Sequence, residues 1–158
     1  MIVVVMGVSG CGKSTVGALL AQALGAEFLD GDDFHPPENV AKMAAGTPLT
    51  DADRAPWLAG LNAELRRRRH AVLACSALKE SYRAALREGV ACRFIHLRGS
   101  RELIASRMAA RRHRYMPAAL LDSQYAALEP PADAIDIDVA LPAAGCVAAI
   151  LAQLPMCT

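Results

Sequence analysis

The sequence predicts an α/β fold in which a parallel β-sheet is flanked by helices on both faces. Short apolar runs typical of buried strands alternate with longer segments in which apolar residues recur at helical spacing. The first run, from Ile2 to Met6, is continuously apolar, as expected of a strand covered on both faces. A glycine-rich segment joins this run to the first helical segment, which indicates a strand–loop–helix unit.

The bounds of the elements follow from apolar runs and turn residues. The first helix is expected to end at Gly25, a natural C-cap. Thr50 and Asp53 provide a weak capping signal, and Pro56 is expected at the first position of the helix that follows. The predicted strands are residues 2–6, 27–30, 71–77, 92–99 and 134–139. The predicted helices are residues 16–24, 38–46, 56–70, 79–89, 100–112, 118–128 and 142–154, with a loop at 31–37 and a break at 113–117.

The length and charge of the chain limit the classes of protein it can belong to. A chain of 158 residues favours a single domain, residues 1–158. The 17 Lys and Arg residues nearly balance the 16 Asp and Glu residues, so no overall field attracts nucleic acid or an acidic membrane. The five cysteines are scattered without a Cys-x-x-Cys pair, and no apolar run reaches the roughly 18 residues of a membrane span. We therefore expect a cytoplasmic protein without nucleic-acid or membrane partners.

The glycine-rich segment has the pattern of a phosphate-binding loop. Gly7-x-x-x-x-Gly12-Lys13-Ser14 matches G-x-x-x-x-G-K-[ST] in full, and it lies between a strand and a helix. Glycine lets the backbone N–H groups approach a phosphate closely, and the helix adds the positive end of its dipole. The motif predicts a three-layer P-loop NTPase fold. The predicted nucleotide-binding residues are Gly7, Val8, Ser9, Gly10, Cys11, Gly12, Lys13, Ser14 and Thr15, with Arg107 and Arg111 from a later helix.

Two carboxylates follow the second predicted strand. Asp30 and Asp32 are two residues apart, and in an extended segment both would point toward the phosphate-binding loop. One of them can hold Mg²⁺ or its waters together with the Ser14 hydroxyl, and the other can orient and deprotonate an attacking hydroxyl. Lys13 can reach the β- and γ-phosphate oxygens. Ordinary loop carboxylates remain the alternative at these positions.

The helix 100–112 carries cations on one face. Arg107 and Arg111 are four residues apart, whereas Ile104 and Met108 lie on a face that can pack inward. A helix of this kind that ends in a break suits a lid, residues 111–124 or so, which closes on phosphates and excludes water. Arg111 is then a catalytic candidate, and a solvated helix face is the alternative.

The P-loop motif alone leaves several functions open. A kinase, a GTPase switch and a nucleotide-sensing regulator all use it. The chain lacks the N/T-K-x-D motif with which GTPases read the base. A small-metabolite kinase is favoured over a regulator, because a regulator that never transfers phosphate has no use for Asp32.

Three further segments resemble the gluconate kinases of the P-loop type. They are "DGDDFHP", "PLTDADRAPWL" and "CSALKxxYR", and the similarity extends in order over nearly the whole chain. The resemblance implies a fold similar to nucleoside monophosphate kinases and shikimate kinase, with a substrate-binding helical region, here 36–70, and a lid. It also implies ATP- and Mg²⁺-dependent phosphorylation of the 6-hydroxyl of D-gluconate, with a shikimate-type kinase as the alternative. Because the family's members are often dimers, a homodimer is expected.

The resemblance also implies roles for individual residues. Asp32 would contact the accepting hydroxyl as the base, and Asp30 would lie nearer the magnesium. Trp57 and Tyr82 are assigned to packing. The residues expected around the sugar acid are Asp32, His35, Arg54, Lys79, Arg83 and Gln124.

The lid departs from the family pattern. Family members commonly have Gly-His-Phe-Phe after the lid helix, where this chain has His113, Arg114, Tyr115 and Met116. Arg114 stands in place of the family's histidine and is expected to meet a phosphate or the sugar acid. Its reach and permanent charge differ from those of histidine, which bears on substrate choice.

Overall fold

A computed structural model describes residues 1–110 and 118–155 of the chain. Within these residues there are five strands, β1 Ile2–Met6, β2 Glu27–Asp30, β3 Ala71–Ala74, β4 Cys92–Arg98 and β5 Ile135–Asp138. The α-helices of the same part of the chain are α1 Lys13–Leu24, α2 Pro37–Ala44, α3 Asp51–Arg66, α4 Glu80–Arg87, α5 Arg101–Ala109, α6 Ala118–Ala127 and α7 Ala143–Gln153. A 3₁₀ helix spans Gly31–Phe34.

The strands form one parallel sheet in the order β2-β3-β1-β4-β5. β1 is central, and Val4 pairs with Leu73 on one side and Phe94 on the other. The connection after β1 leads to one half of the sheet, and β4 lies in the other half. The strand order therefore reverses at β1, and the crevice at its carboxyl end is where open α/β sheets bind ligands.

Helices cover both faces of the sheet and create two hydrophobic cores. The side chains of β1 alternate between these cores and are all buried. One core, which includes Val3 and Val5, receives apolar side chains from α1, α5, α6 and α7. The other, which includes Val4, receives them from α3 and α4. This confirms the predicted three-layer α/β fold and explains the continuous apolar run of the first strand.

The start of α3 corrects a predicted boundary. Pro56 lies inside α3 and not at its first position. Thr50 is the N-cap: its hydroxyl accepts from the Asp53 N–H at 3.1 Å, and the Asp53 carboxylate accepts from the Thr50 N–H at 2.9 Å. This reciprocal capping box starts the helix at Asp51, and the proline is accommodated in its second turn.

Other boundaries differ by smaller amounts. The predicted loop 31–37 contains the 3₁₀ helix and ends in Pro37, the first residue of α2. α1 begins at Lys13, three residues earlier than expected, because the phosphate-binding loop closes directly into the helix. Of the predicted lid, only the part from residue 118 onward falls within the described residues. No helix of the described chain has the length and apolar character to cross a membrane.

Candidate active site

The phosphate-binding loop, residues 7–15, connects β1 to α1 at the carboxyl edge of the sheet. Gly10 has φ +81°, and a Cβ there would lie 2.6 Å from Cγ of Met108. Gly12 has φ +95° and is the N-cap of α1. A larger residue at Gly10 would both strain the backbone and separate the loop from α5. The loop is therefore packed closely against the helix that carries Arg107.

Two side chains of the loop make hydrogen bonds that fix their positions beside the cavity. Lys13 Nζ donates to the backbone oxygen of Val8 at 3.0 Å, which holds the ammonium group over the loop. Ser14 Oγ donates to Asp30 Oδ2 at 2.9 Å. The loop hydroxyl and the first carboxylate thus lie side by side.

The prediction that Asp30 and Asp32 lie in one extended segment is wrong, although both residues line the same cavity. Asp32 is not in an extended segment but in the 3₁₀ helix, and its N–H donates to Asp30 Oδ1 at 3.1 Å. Asp30 therefore caps this short helix. The cavity, of about 370 Å³, is lined by Ser9, Gly10, Gly12, Lys13, Ser14, Thr15, Asp30, Asp32, Ala74, Cys75 and Ser76.

Cys75 and Ser76, which follow β3, complete this cavity and were not predicted. Burial raises the pKa of the Cys75 thiol to about 12, so the thiol is neutral. The Ser76 backbone oxygen accepts from the Gly7 N–H at 3.2 Å and ties the segment to the phosphate-binding loop. Backbone contacts of this kind leave little trace in a sequence.

His35 is held in one orientation beside the cavity. Its ring stacks on Trp57 with centroids 4.1 Å apart, and Trp57 Nε1 donates to the Gly31 backbone oxygen at 2.8 Å. Asn39 Nδ2 donates to the Asp53 backbone oxygen and lies 3.2 Å from His35 Nδ1. An amide nitrogen can only donate, so Nδ1 accepts and the ring proton resides on Nε2.

Electrostatics favour the same neutral form of His35. Burial lowers the pKa of His35, Asp32 raises it to a lesser extent, and Arg54 lowers it further. The ring is therefore within electrostatic reach of both Asp32 and Arg54. Trp57, 6% exposed, packs in the core as predicted.

The predicted substrate cations Arg54 and Lys79 meet at the ring of Tyr82. Arg54 Cζ lies 5.4 Å from the ring centroid and Lys79 Nζ 5.7 Å from it. Tyr82 OH donates to Asp51 Oδ1 at 2.5 Å, and Lys79 Nζ lies 3.7 Å from the same oxygen. Tyr82 is buried as predicted, and it also organises the two cations, which its assignment to packing did not include.

Arg83 differs from the other predicted cations because it lies inside the protein. Its guanidinium donates to the backbone oxygens of Ala77 and Glu129, each at 2.8 Å, and to the carboxylate of Glu80 at 3.2 Å. Its side chain is 2% exposed. Arg83 and Lys79 therefore do not share a solvent face, and Arg83 supports the segment that carries Lys79.

The remaining predicted residues are on or near the lid. Arg107 is half-buried on α5, and Ile104 beneath it is fully buried, as predicted. Gln124 on α6 contacts Ser9 of the phosphate-binding loop. Arg111 and Arg114 lie outside the described residues.

The oxygen atoms beside the phosphate-binding loop fit a magnesium ion. Ser14 and Asp30 offer a hydroxyl and a carboxylate at one place, which are ligands that Mg²⁺ prefers. In residues 1–110 and 118–155 no group of three or more His, Cys, Asp or Glu side chains could hold a metal ion. Mg²⁺ held here would therefore take its other ligands from phosphates and water, as is usual for this ion.

The fold and the site together define a P-loop phosphotransferase. The phosphate-binding loop follows the central strand, and Lys13, Asp30 and Asp32 line the cavity at the same edge of the sheet. A family model described as an AAA domain matches residues 2–131.

The chain belongs to the gluconokinase family. It is 52% identical over 135 residues to the gluconokinase of Gluconobacter oxydans, which covers 82% of this chain and 76% of that protein. The crystal structure of a gluconokinase from Sinorhizobium meliloti has 48% identity and a TM-score of 0.89, and covers 95% of this chain and 89% of that one. A shikimate kinase from Bacteroides thetaiotaomicron, with a TM-score of 0.71 and 15% identity, shares the fold alone. The resemblance stated from the sequence is confirmed.

Proposed function

We propose that this protein transfers the γ-phosphoryl group of ATP to the 6-hydroxyl of D-gluconate, giving 6-phospho-D-gluconate and ADP. The observation that carries the proposal is one cavity lined both by residues of the phosphate-binding loop, Lys13 and Ser14 among them, and by Asp32, in a member of the gluconokinase family. A cradle for the donor phosphates thus lies next to a carboxylate able to receive the proton of an acceptor hydroxyl.

The residues of the cavity divide the work of phosphoryl transfer. The amides of the loop and Lys13 hold the phosphates, and Asp32 orients the hydroxyl in line with the γ-phosphorus and takes its proton as the bond forms. Ser14 and Asp30 hold Mg²⁺, which when bound neutralises charge on the phosphates. Arg107 and Arg111 add positive charge from the lid side, where charge moves toward the leaving oxygen.

The sugar acid is expected to lie between His35 and the Tyr82 ring. Arg54 and Lys79 approach this ring from α3 and from the start of α4, which provides two cations for the gluconate carboxylate. The Nε2–H of His35 can donate to a sugar hydroxyl. Arg83 acts in this proposal by supporting the Lys79 segment, and Arg114 meets the carboxylate or a phosphate when the lid closes.

An acceptor panel tests the proposal. Purified protein is incubated with MgATP and, separately, with gluconate, other aldonic acids, shikimate or nucleoside monophosphates, and ADP release is measured. Stimulation by gluconate above the other acceptors is expected. Stimulation by shikimate instead would identify a shikimate-type kinase. Tight ATP binding without stimulation by any acceptor would identify a nucleotide-binding regulator.

The proposal also covers the location of the protein in the cell, the division of the chain into regions and its oligomeric state. The protein acts in the cytoplasm, it uses residues 36–70 as substrate-binding region and about 111–124 as lid, and it forms a homodimer. Sedimentation equilibrium at micromolar concentration measures the dimer directly, and a single species of 16.7 kDa would contradict it.

A further inference from the structure

Gln124 makes two hydrogen bonds to one residue of the phosphate-binding loop. Its Oε1 accepts from the Ser9 backbone N–H at 2.7 Å, and its Nε2 donates to Ser9 Oγ at 2.8 Å. The two residues are 115 positions apart in the sequence. Ser9 lines the cavity, and Gln124 is absent from the described residues that line it. Gln124 therefore reaches the cavity only through its contact with Ser9, within the described residues.

The chemistry of these bonds makes the Ser9 hydroxyl an acceptor toward Gln124. A backbone N–H can only donate, so the Gln124 atom that faces it is the oxygen, and the amide nitrogen must face Ser9 Oγ. Ser9 Oγ therefore accepts from Gln124, and the hydrogen of the Ser9 hydroxyl is left to donate to another group. Because Ser9 lines the cavity, the hydroxyl can donate to a phosphate oxygen in it.

The helix that carries Gln124 is tied firmly to the protein. Tyr125 OH donates to the Gly99 backbone oxygen at 2.8 Å, and Asp122 pairs with Arg101. Leu121 is 2% exposed and packs in the core of the α1 side. These contacts hold α6, whose residues 118–124 belong to the predicted lid, against the segment that follows β4, so Gln124 connects the phosphate-binding loop to the anchored end of that lid.

We propose that Gln124 is a positioning residue that holds Ser9 so that the Ser9 hydroxyl donates to the transferring phosphoryl group. The inference rests on the proposed kinase function and replaces the expected contact between Gln124 and a sugar hydroxyl. A sugar contact would act mainly on the KM for gluconate. Positioning of Ser9 acts on kcat, because the hydroxyl meets charge that develops in transfer.

Gln124→Met tests the positioning role, since methionine keeps the length of the side chain and cannot make either hydrogen bond. We expect kcat to fall about 10-fold or more, with the KM for gluconate changed less than about 3-fold. Gln153→Met is the matched control. Gln153 is exposed on α7 and donates to the Ala149 oxygen of its own helix, so both constants should stay at their wild-type values.

Ser9→Ala provides a second variant that removes only a hydroxyl at the cavity. Its kcat should fall by a similar factor, and Gln124→Met should cost less in the Ser9→Ala background than in the wild type. Full additivity of the two changes would overturn the proposal. So would an unchanged kcat in Ser9→Ala, whatever the folding of the Gln124 variant.

Amide hydrogen exchange at Ser9 gives a readout that does not depend on the acceptor. In the protein without substrates, exchange of the Ser9 N–H should be at least about 10-fold faster in Gln124→Met than in wild type. If gluconate proves not to be the acceptor, this result still stands and only the proposed function fails. Unchanged exchange, or a rise in the KM for gluconate at constant kcat, would overturn the positioning role.

Discussion

Asp30 and Asp32 show how neighbouring residues of the same type acquire different roles. Both oxygens of Asp30 accept hydrogen bonds, one from Ser14 and one from the Asp32 N–H. Asp32 is exposed and lines the cavity without being needed to cap the 3₁₀ helix. In the proposed mechanism Asp30 is therefore suited to the role of a fixed metal ligand, and Asp32 to that of the proton acceptor.

Replacing Asp32 by asparagine tests its assignment as the base. Asp32→Asn keeps the shape and removes the proton acceptor, so kcat for gluconate phosphorylation should fall about 10²- to 10⁴-fold. Asp33→Asn, at the adjacent exposed position, is the matched control and should retain wild-type kcat. Steady-state ADP release measures both. A change confined to KM would show that Asp32 binds substrate and does not act as the base.

Lys13 can be tested in the same assay. Lys13→Ala removes the ammonium group at the loop, and turnover should drop by about 10²-fold or more because charge on the transferring phosphoryl loses its fixed partner. The fold should persist, since the side chain only donates to the Val8 oxygen. Circular dichroism checks this, and a folded variant with undiminished turnover would remove Lys13 from the mechanism.

At the scale of elements, Asp53 joins α2 to α3. Its carboxylate accepts from the Thr50 N–H in the capping box and from Lys42 of α2 at 2.9 Å, and its backbone oxygen accepts from Asn39. One residue thus determines where α3 begins and how α2 lies on it. Because Arg54 follows directly in the chain, this junction also positions the predicted substrate cation.

The junction should loosen in acid. The hydrogen bond from Lys42, followed by that from the Thr50 backbone, lowers the pKa of Asp53 from 3.8 to about 2. A folded-state pKa below the unfolded one gives stability that is present above about pH 4 and is lost as the pH falls through about 2. The difference in urea midpoint between wild type and Asp53→Asn should accordingly be constant near neutral pH. It should shrink toward zero as the pH falls from about 4 to about 2.

Lys42→Met shows how much of the acid sensitivity comes from the Lys42–Asp53 ion pair and how much from other groups that titrate in acid. Without the ammonium group, most of the pH-dependent difference between carboxylate and amide at position 53 should disappear. If the pH-dependent difference in urea midpoint between the proteins with and without Asp53→Asn is unchanged in the Lys42→Met background, the pH dependence comes from the capping box alone.

At the scale of the whole molecule, stability depends on two cores separated by one sheet. Every side chain of β1 is buried, and α1 closes the first core directly after the phosphate-binding loop. The loop is thus held at both ends by packed elements, and the Ser9 amide is held in addition by the Gln124 side chain. A substitution that disturbs the packing of β1 or α1 is therefore expected to displace the phosphate-binding loop as well.

Adjacent leucines of α1 provide a matched test. Leu20 is fully buried and Leu19 is 39% exposed. Leu20→Ala should lower the free energy of unfolding by about 2–5 kcal/mol through lost burial and a cavity. Leu19→Ala should change it by no more than about 0.5 kcal/mol, because alanine suits a helix surface equally well. Urea denaturation measures both, and equal losses would contradict the arrangement of the core.

Only some features of the site could be read from the sequence. The phosphate-binding loop follows the first strand directly and Asp30 and Asp32 stand at the end of the second, so local pattern located them, although the extended geometry expected of Asp32 was wrong. The start of α3 was predicted wrongly, because the capping signal at Thr50 and Asp53 competes with the helix-start signal of Pro56. The burial of Arg83 could not be predicted, because it depends in part on the Glu129 carbonyl, 46 positions away.

By itself, the sequence determined the layered α/β fold, the phosphate-binding loop and membership of the gluconokinase family, since these depend on hydrophobic period and on residues adjacent in the chain. Only the tertiary structure decided that Tyr82 gathers Arg54 and Lys79, and that Gln124 holds Ser9. The Arg54–Tyr82 and Ser9–Gln124 contacts join residues 28 and 115 positions apart. Hydrogen bonds and ring contacts act over a few ångströms, so they exist only after the sheet and helices have packed.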